Sequence, residues 1–165
     1  MSLIVTDEPP DRPAWLAETI RLVTESSTGR RDDVLARVAR ATDAELAAGS
    51  DSAWGVGQVA VHLLLIERGV AGVALSLAKG ETPGNTGQPR PAASGVTREG
   101  IASLARKAGE AMARLRAELP PDPDLRATGR HPYYGDLNAF GWLLTLANHH
   151  AAHLEALDSG RTSAL

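Results

Sequence analysis

His149 and His153 stand four residues apart in the segment Leu144-Thr145-Leu146-Ala147-Asn148-His149-His150-Ala151-Ala152-His153-Leu154-Glu155. Three of the chain's five histidines fall in this stretch. It lacks Gly and Pro and is rich in Leu and Ala, which predicts a helix. Side chains four apart on a helix share one face, with Cβ atoms about 5–6 Å apart. Two imidazoles so placed can reach one metal ion. Catalysis at such an ion needs a third ligand and an open coordination position.

On a helical wheel Trp142, Leu146, His149, His153 and Leu157 form one stripe. Imidazoles that face a core need partners, because an unpartnered buried polar group costs about 1–3 kcal/mol. A metal ion satisfies both rings at once. His62 lies on the apolar stripe of an earlier helix, between Val59 and Ile66. If the two helices face each other at the same depth, His62 is the third ligand. The fourth position is then left for water or substrate. Imidazole suits zinc, nickel, iron and copper alike, so the donor set leaves the metal open.

The neighbouring residues have blander readings. His150 is rotated about 100° from His149 and reads as exposed or as a support to the ligands. Its spacing from His153 also permits ligation. His131, in a loop before Pro132, reads as a packing or hydrogen-bonding residue. Glu67 and Glu155 read as solvated helix-face acids; orienting an imidazole or acting as general base is the other role open to them. His150 occupies the place of the Glu in H-E-x-x-H, so a zincin protease is not supported.

Four amphipathic segments must position these groups. Pro13 suits the first turn of a helix, which is expected to run, whole or broken at Ser26 to Gly29, to about Ala48-Gly49. Ser50-Asp51-Ser52 offers N-cap candidates for a second helix from Trp54 to about Lys79. Residues 80–96 hold four Gly and three Pro, among them Pro83, Gly84, Gly87, Pro89, Pro91 and Gly95, and read as a long loop. Thr97 can cap a third helix, which Pro120-Pro121 stops. Asp136 is the expected N-cap of the fourth, ending near Leu157. No strand-like alternation persists. The chain of 165 residues therefore reads as an all-α four-helix bundle over residues 13–160, preceded by a flexible arm at 1–12.

Composition narrows the function classes. Net charge is −3, with 17 Lys and Arg scattered among 20 acids, so no basic face for nucleic acid is expected. There is no cysteine, which excludes disulfide scaffolds, Cys-based zinc ribbons and a thiol nucleophile from the chain itself. The N-terminus is acidic and Pro-rich, unlike a signal peptide. No apolar run approaching ~18 residues stands out, so no membrane span is expected. A cytoplasmic location is the expectation that follows.

Three segments resemble a known family. Trp54-Gly55-Val56-Gly57-Gln58-Val59-Ala60-Val61-His62-Leu63 is similar to the opening of the second helix in DinB/YfiT-like proteins. His131-Pro132-Tyr133-Tyr134-Gly135-Asp136-Leu137 resembles the lead into their last helix, and His149-x3-His153-Leu154 their closing motif. The likeness spans residues 14–158. It implies a bundle in up-down-down-up order, a homodimer, and Zn²⁺ or Ni²⁺ held by His62, His149 and His153. It also implies a small-molecule substrate and either hydrolase chemistry or a transferase or isomerase reaction with a low-molecular-weight thiol as cosubstrate. Ala152 and Ala156 stand where many relatives carry Arg and Gln, and Gly55 where Ser commonly caps, so the substrate class does not transfer. Two other readings stand beside the enzyme: a non-catalytic protein whose metal or histidine cluster ties two helices together, and a stress-associated protein that binds a small apolar molecule around Trp142.

Overall fold

Pro13 opens the first helix as its sequence position predicts, and its carbonyl accepts from the amides of Leu16 and Ala17. The computed structural model describes residues 12–160; the rest of the expected N-terminal arm lies outside them. Helix α1 covers Ala14–Arg40 without a break. Its weak centre holds because Thr24, Ser27 and Thr28 each donate a hydroxyl to a carbonyl of the preceding turn. The helix ends before the expected Ala48-Gly49. Ala41 is extended, and Thr42 starts a separate short helix, α2 (Asp43–Leu46), through a capping box with Glu45.

Helix α3 covers Val56–Ala78 and is capped at Gly55 rather than in Ser50-Asp51-Ser52. Gln58 takes the capping role by accepting from the Gly55 amide at 3.1 Å. Gly57 has no room for a side chain: a Cβ there would meet the Leu46 carbonyl and Val96. By length and composition α3 is apolar enough to cross a membrane, with a window of mean hydropathy 1.6, which corrects the reading that no apolar run approaches that length. Of that window 61% is buried inside the bundle, as befits its central helix. A 3₁₀ turn at Ala93–Gly95 precedes α4 (Arg98–Glu118), which Thr97 caps as expected.

A short antiparallel hairpin, β1 (Gly129–His131) with β2 (Gly135–Leu137), leads into α5 (Ala139–Asp158). The sequence showed no strand there, because three-residue strands carry no readable alternation. Asp136 belongs to β2, and the cap is Asn138, whose side chain accepts from the Gly141 amide.

Contacts at the helix ends fix the direction of each helix. Arg12 donates to the Leu119 carbonyl, and Arg98 donates to the Val38 carbonyl, so α1 and α4 are antiparallel. Lys79 pairs with Glu118 at the shared end of α3 and α4, while Val96 approaches Gly57 at their shared start. Arg37 pairs with Asp158 where α1 and α5 both end. The four long helices therefore form an up-down-down-up bundle.

The apolar core comes in two clusters. One contains Leu16, Ile20, Val70, Met112 and Leu146; the other contains Val34, Val38, Leu63, Ile101 and Leu154. Each helix passes from one cluster to the other at a polar or small residue. These are Thr24, Ser27 and Arg31 on α1, Glu67 on α3, Gly109 on α4 and His150 on α5. The Arg31 guanidinium donates to Glu67 at 2.8 Å, and a side chain at Gly109 would stand against it.

Candidate metal centre

His62 sits in the second turn of α3, and His149 and His153 lie in the second half of α5. The antiparallel packing of these helices brings the three rings together. Their centroids are 4.7–5.1 Å apart, and one ligating nitrogen from each lies within 4.8 Å of the others. His62 and His153 are buried, and His149 is half-buried. The sequence-predicted trio is thus one cluster.

Backbone sets the tautomer of His62. Its Nδ1–H donates to the Pro89 carbonyl at 2.7 Å, since a carbonyl can only accept. The Nε2 lone pair then faces His149 Nε2 at 3.2 Å. Without a metal, His149 must donate across that gap. His149 Nδ1 is buried and finds no hydrogen-bond partner. Trp54 closes one side, stacked on His153 at 6.0 Å and tilted on His62 at 5.0 Å.

The rings are held neutral. Burial pushes His149 down to about 3, helped by the neighbouring imidazoles, chiefly His153. Burial also pushes His153 down to about 4, with His62 adding to it. His62 is lowered by burial, partly offset by its bond to Pro89 and reinforced by the charge of Arg90. Neutral imidazole is the form that ligates a metal. The 3.2 Å pair already has the spacing of two ligands on one tetrahedral ion, which is ~3.3 Å for bonds of about 2.0–2.1 Å. The donor set therefore fits a borderline divalent cation.

Other candidates fall differently from expectation. His150 is 1% exposed, so it is no surface residue. Its ring faces the bundle interior because α5 is covered on more than one side. Burial pushes it down to about 4, against support from the Leu146 carbonyl. Glu67 is fully buried rather than solvated. Burial raises it to about 7 against the pull of Arg31. Glu155 is exposed, as expected. His131 does not join the trio, but it lines the same pocket. Its Nδ1 accepts from the Tyr133 and Tyr134 amides, so Nε2 carries the proton.

The histidines form the floor of a pocket of about 270 Å³. Its walls come from Trp54, the loop segment 86–90, the hairpin residues His131 to Tyr134, and Trp142. The Trp142 indole donates to the Gly129 carbonyl at 3.1 Å, which seats the hairpin on α5. Arg90 and the two tyrosines were not singled out as pocket residues in the sequence. Arg90 lies in a Gly- and Pro-rich loop with no periodicity to place it. The tyrosines' adjacency to His131 was a signal that they belonged near the site.

Fold and site together define a helical-bundle protein with a trihistidine pocket of the kind that holds a metal. The chain belongs to the DinB superfamily, whose family profile matches residues 27–157. The protein described as "TT2238, a four-helix bundle protein" has a similar crystal structure. The two are 28% identical, with a TM-score of 0.65 over 85% of this chain and 98% of the other. The comparison with curated proteins found no match.

Proposed function

We propose that this protein is a metal-dependent enzyme acting on a small molecule, with His62, His149 and His153 as ligands to a zinc or nickel ion. The observation that carries the reading is the convergence of three neutral imidazole nitrogens on the floor of an open pocket. Among the described residues no carboxylate lines that pocket, which leaves a coordination position for water or substrate. A bound divalent cation lowers the proton affinity of a water or thiol, supplying a nucleophile near neutral pH. The chain has no cysteine, so a thiol would enter as cosubstrate. The reading thus covers hydrolysis and thiol transfer.

The chain's own residues do the positioning. Pro89 orients His62, Trp54 walls in His62 and His153, and Tyr133, Tyr134 and Trp142 offer aromatic faces to the substrate. Those faces also favour a second reading, a binder of small apolar molecules. Ligand affinity unchanged by chelation would support the binder over the enzyme. A homodimer through α1 and α5 is part of the proposal, because exposed Leu22 and Leu144 flank an apolar groove there. Sedimentation velocity tests that part.

Metal content by mass spectrometry tests the centre. The purified protein is expected to carry about one divalent ion per chain when zinc or nickel is supplied. His62→Ala and His149→Ala are each expected to lose most of it. Full retention in both variants refutes the assignment.

A further inference from the structure

Among the described residues lining the pocket, Arg90 is the single one with a permanent charge, and Asp and Glu are absent. The position of Arg90 is built rather than incidental. The carbonyl before it, Pro89, accepts from His62, and the carbonyl after it, Pro91, accepts from Gln58 at 2.9 Å. Its backbone is therefore pinned to α3 on both sides. The side chain itself is exposed, has no ion pair among the described residues, and makes a single long hydrogen bond, 3.5 Å to the Asp51 carbonyl. A guanidinium has five donors in a planar fork suited to carboxylate and phosphate oxygens. Here most of them remain available. Across the pocket, His131 presents a protonated Nε2, a second donor without a formal charge. The remaining walls are aromatic: Trp54, Tyr133, Tyr134 and Trp142.

From this arrangement we infer that the pocket takes a substrate with an oxyanion group, such as a carboxylate, on an apolar or aromatic body. Arg90 reads the anion and the aromatic walls hold the body. This deepens the enzyme reading by naming its substrate class and rests on it for the pocket being the substrate site. Arg90 acts in binding and specificity and not in the chemical step. A pocket without acids does not repel such a ligand, whereas a cationic substrate would meet Arg90 with no compensating charge.

The test uses matched pairs: phenylacetate, 3-phenylpropionate and 4-phenylbutyrate, each against its uncharged amide. Binding is read by calorimetry on the full chain, both metal-stripped and zinc-loaded. At least one acid is expected to bind about ten-fold tighter than its amide in both forms, the size of a hydrogen bond to a charged group. Arg90→Gln should bring the pair to within about two-fold, while Arg90→Lys keeps most of the preference. Arg106→Gln, which removes an equal charge from the exposed side of α4, should change nothing. The inference is overturned if no acid binds, if acid and amide bind alike, or if the preference survives Arg90→Gln. It is also overturned if the preference appears in the zinc-loaded form alone, since the anion then sits on the metal. Absence of zinc binding with an Arg90-dependent preference intact would refute the metal centre and leave this inference standing.

Discussion

Glu67→Gln should make the protein more stable relative to wild type as pH rises. The carboxylate is fully buried. One oxygen accepts from Arg31 at 2.8 Å, and Oε2 finds no hydrogen-bond partner. Burial outweighs the Arg31 charge and lifts the pKa from 4.5 to about 7. Each step of one in pKa is worth about 1.4 kcal/mol between the two protonation states. The ionised form therefore costs ~3 kcal/mol more in the folded than in the unfolded chain. Because the folded state holds its proton more tightly, this group favours folding most below pH 4.5. The advantage drains away up to about pH 7 and is flat beyond. Glutamine does not titrate. The difference in unfolding free energy, variant minus wild type, should rise by ~3 kcal/mol from pH 4.5 to pH 8. Urea denaturation followed by far-UV circular dichroism, in chelator, measures it. The histidines are common to both proteins and cancel. A difference that stays level within ~1 kcal/mol across that range would refute the reasoning.

Three further outcomes follow from the same geometry. Arg31→Met strands the buried Glu67 carboxylate and should cost ~3–5 kcal/mol at pH 8, and much less at pH 5 where the acid is protonated; urea midpoints at the two pH values check this. Zinc affinity should fall little from pH 7.5 to 5.5, because burial lowers all three ligand imidazoles, His149 to about 3 and His153 to about 4. Unperturbed ligands would begin losing affinity to protons near pH 6.5, about ten-fold per ligand for each further pH unit, so a calorimetric loss above a hundred-fold contradicts the burial argument. Gly57→Ala should destabilise by about 1–3 kcal/mol, since its Cβ meets the Leu46 carbonyl and Val96; a melting temperature equal to wild type would show that α2 can move aside.

Much of the bundle was legible because its signals are local. Thr97 caps α4 and Pro120 follows its end, and the i,i+4 spacing of His149 and His153 put both rings on one face. His62 was readable from its place between Val59 and Ile66. What escaped depends on other parts of the chain. Glu67 looks like a surface acid until Arg31, 36 residues earlier, covers it. His150 looks exposed until α5 proves to be buried on a broad front. The break at Ala41 turns on a capping box between Thr42 and Glu45 that competed with a longer helix. Arg90 gains meaning only because two backbone carbonyls beside it are tied to α3.

Those two ties divide labour within the loop over residues 80–96. What holds the loop to α3 on the loop's side is main chain, the carbonyls of Pro89 and Pro91, and the matching side chains belong to the helix. The Arg90 side chain takes no part in either tie and lines the pocket instead. A substitution at position 90 can therefore change the chemistry of the pocket wall while leaving the Pro89 carbonyl that orients His62 in place. Such an arrangement lets one trihistidine scaffold vary the wall of its pocket at position 90 through changes that carry little penalty in folding.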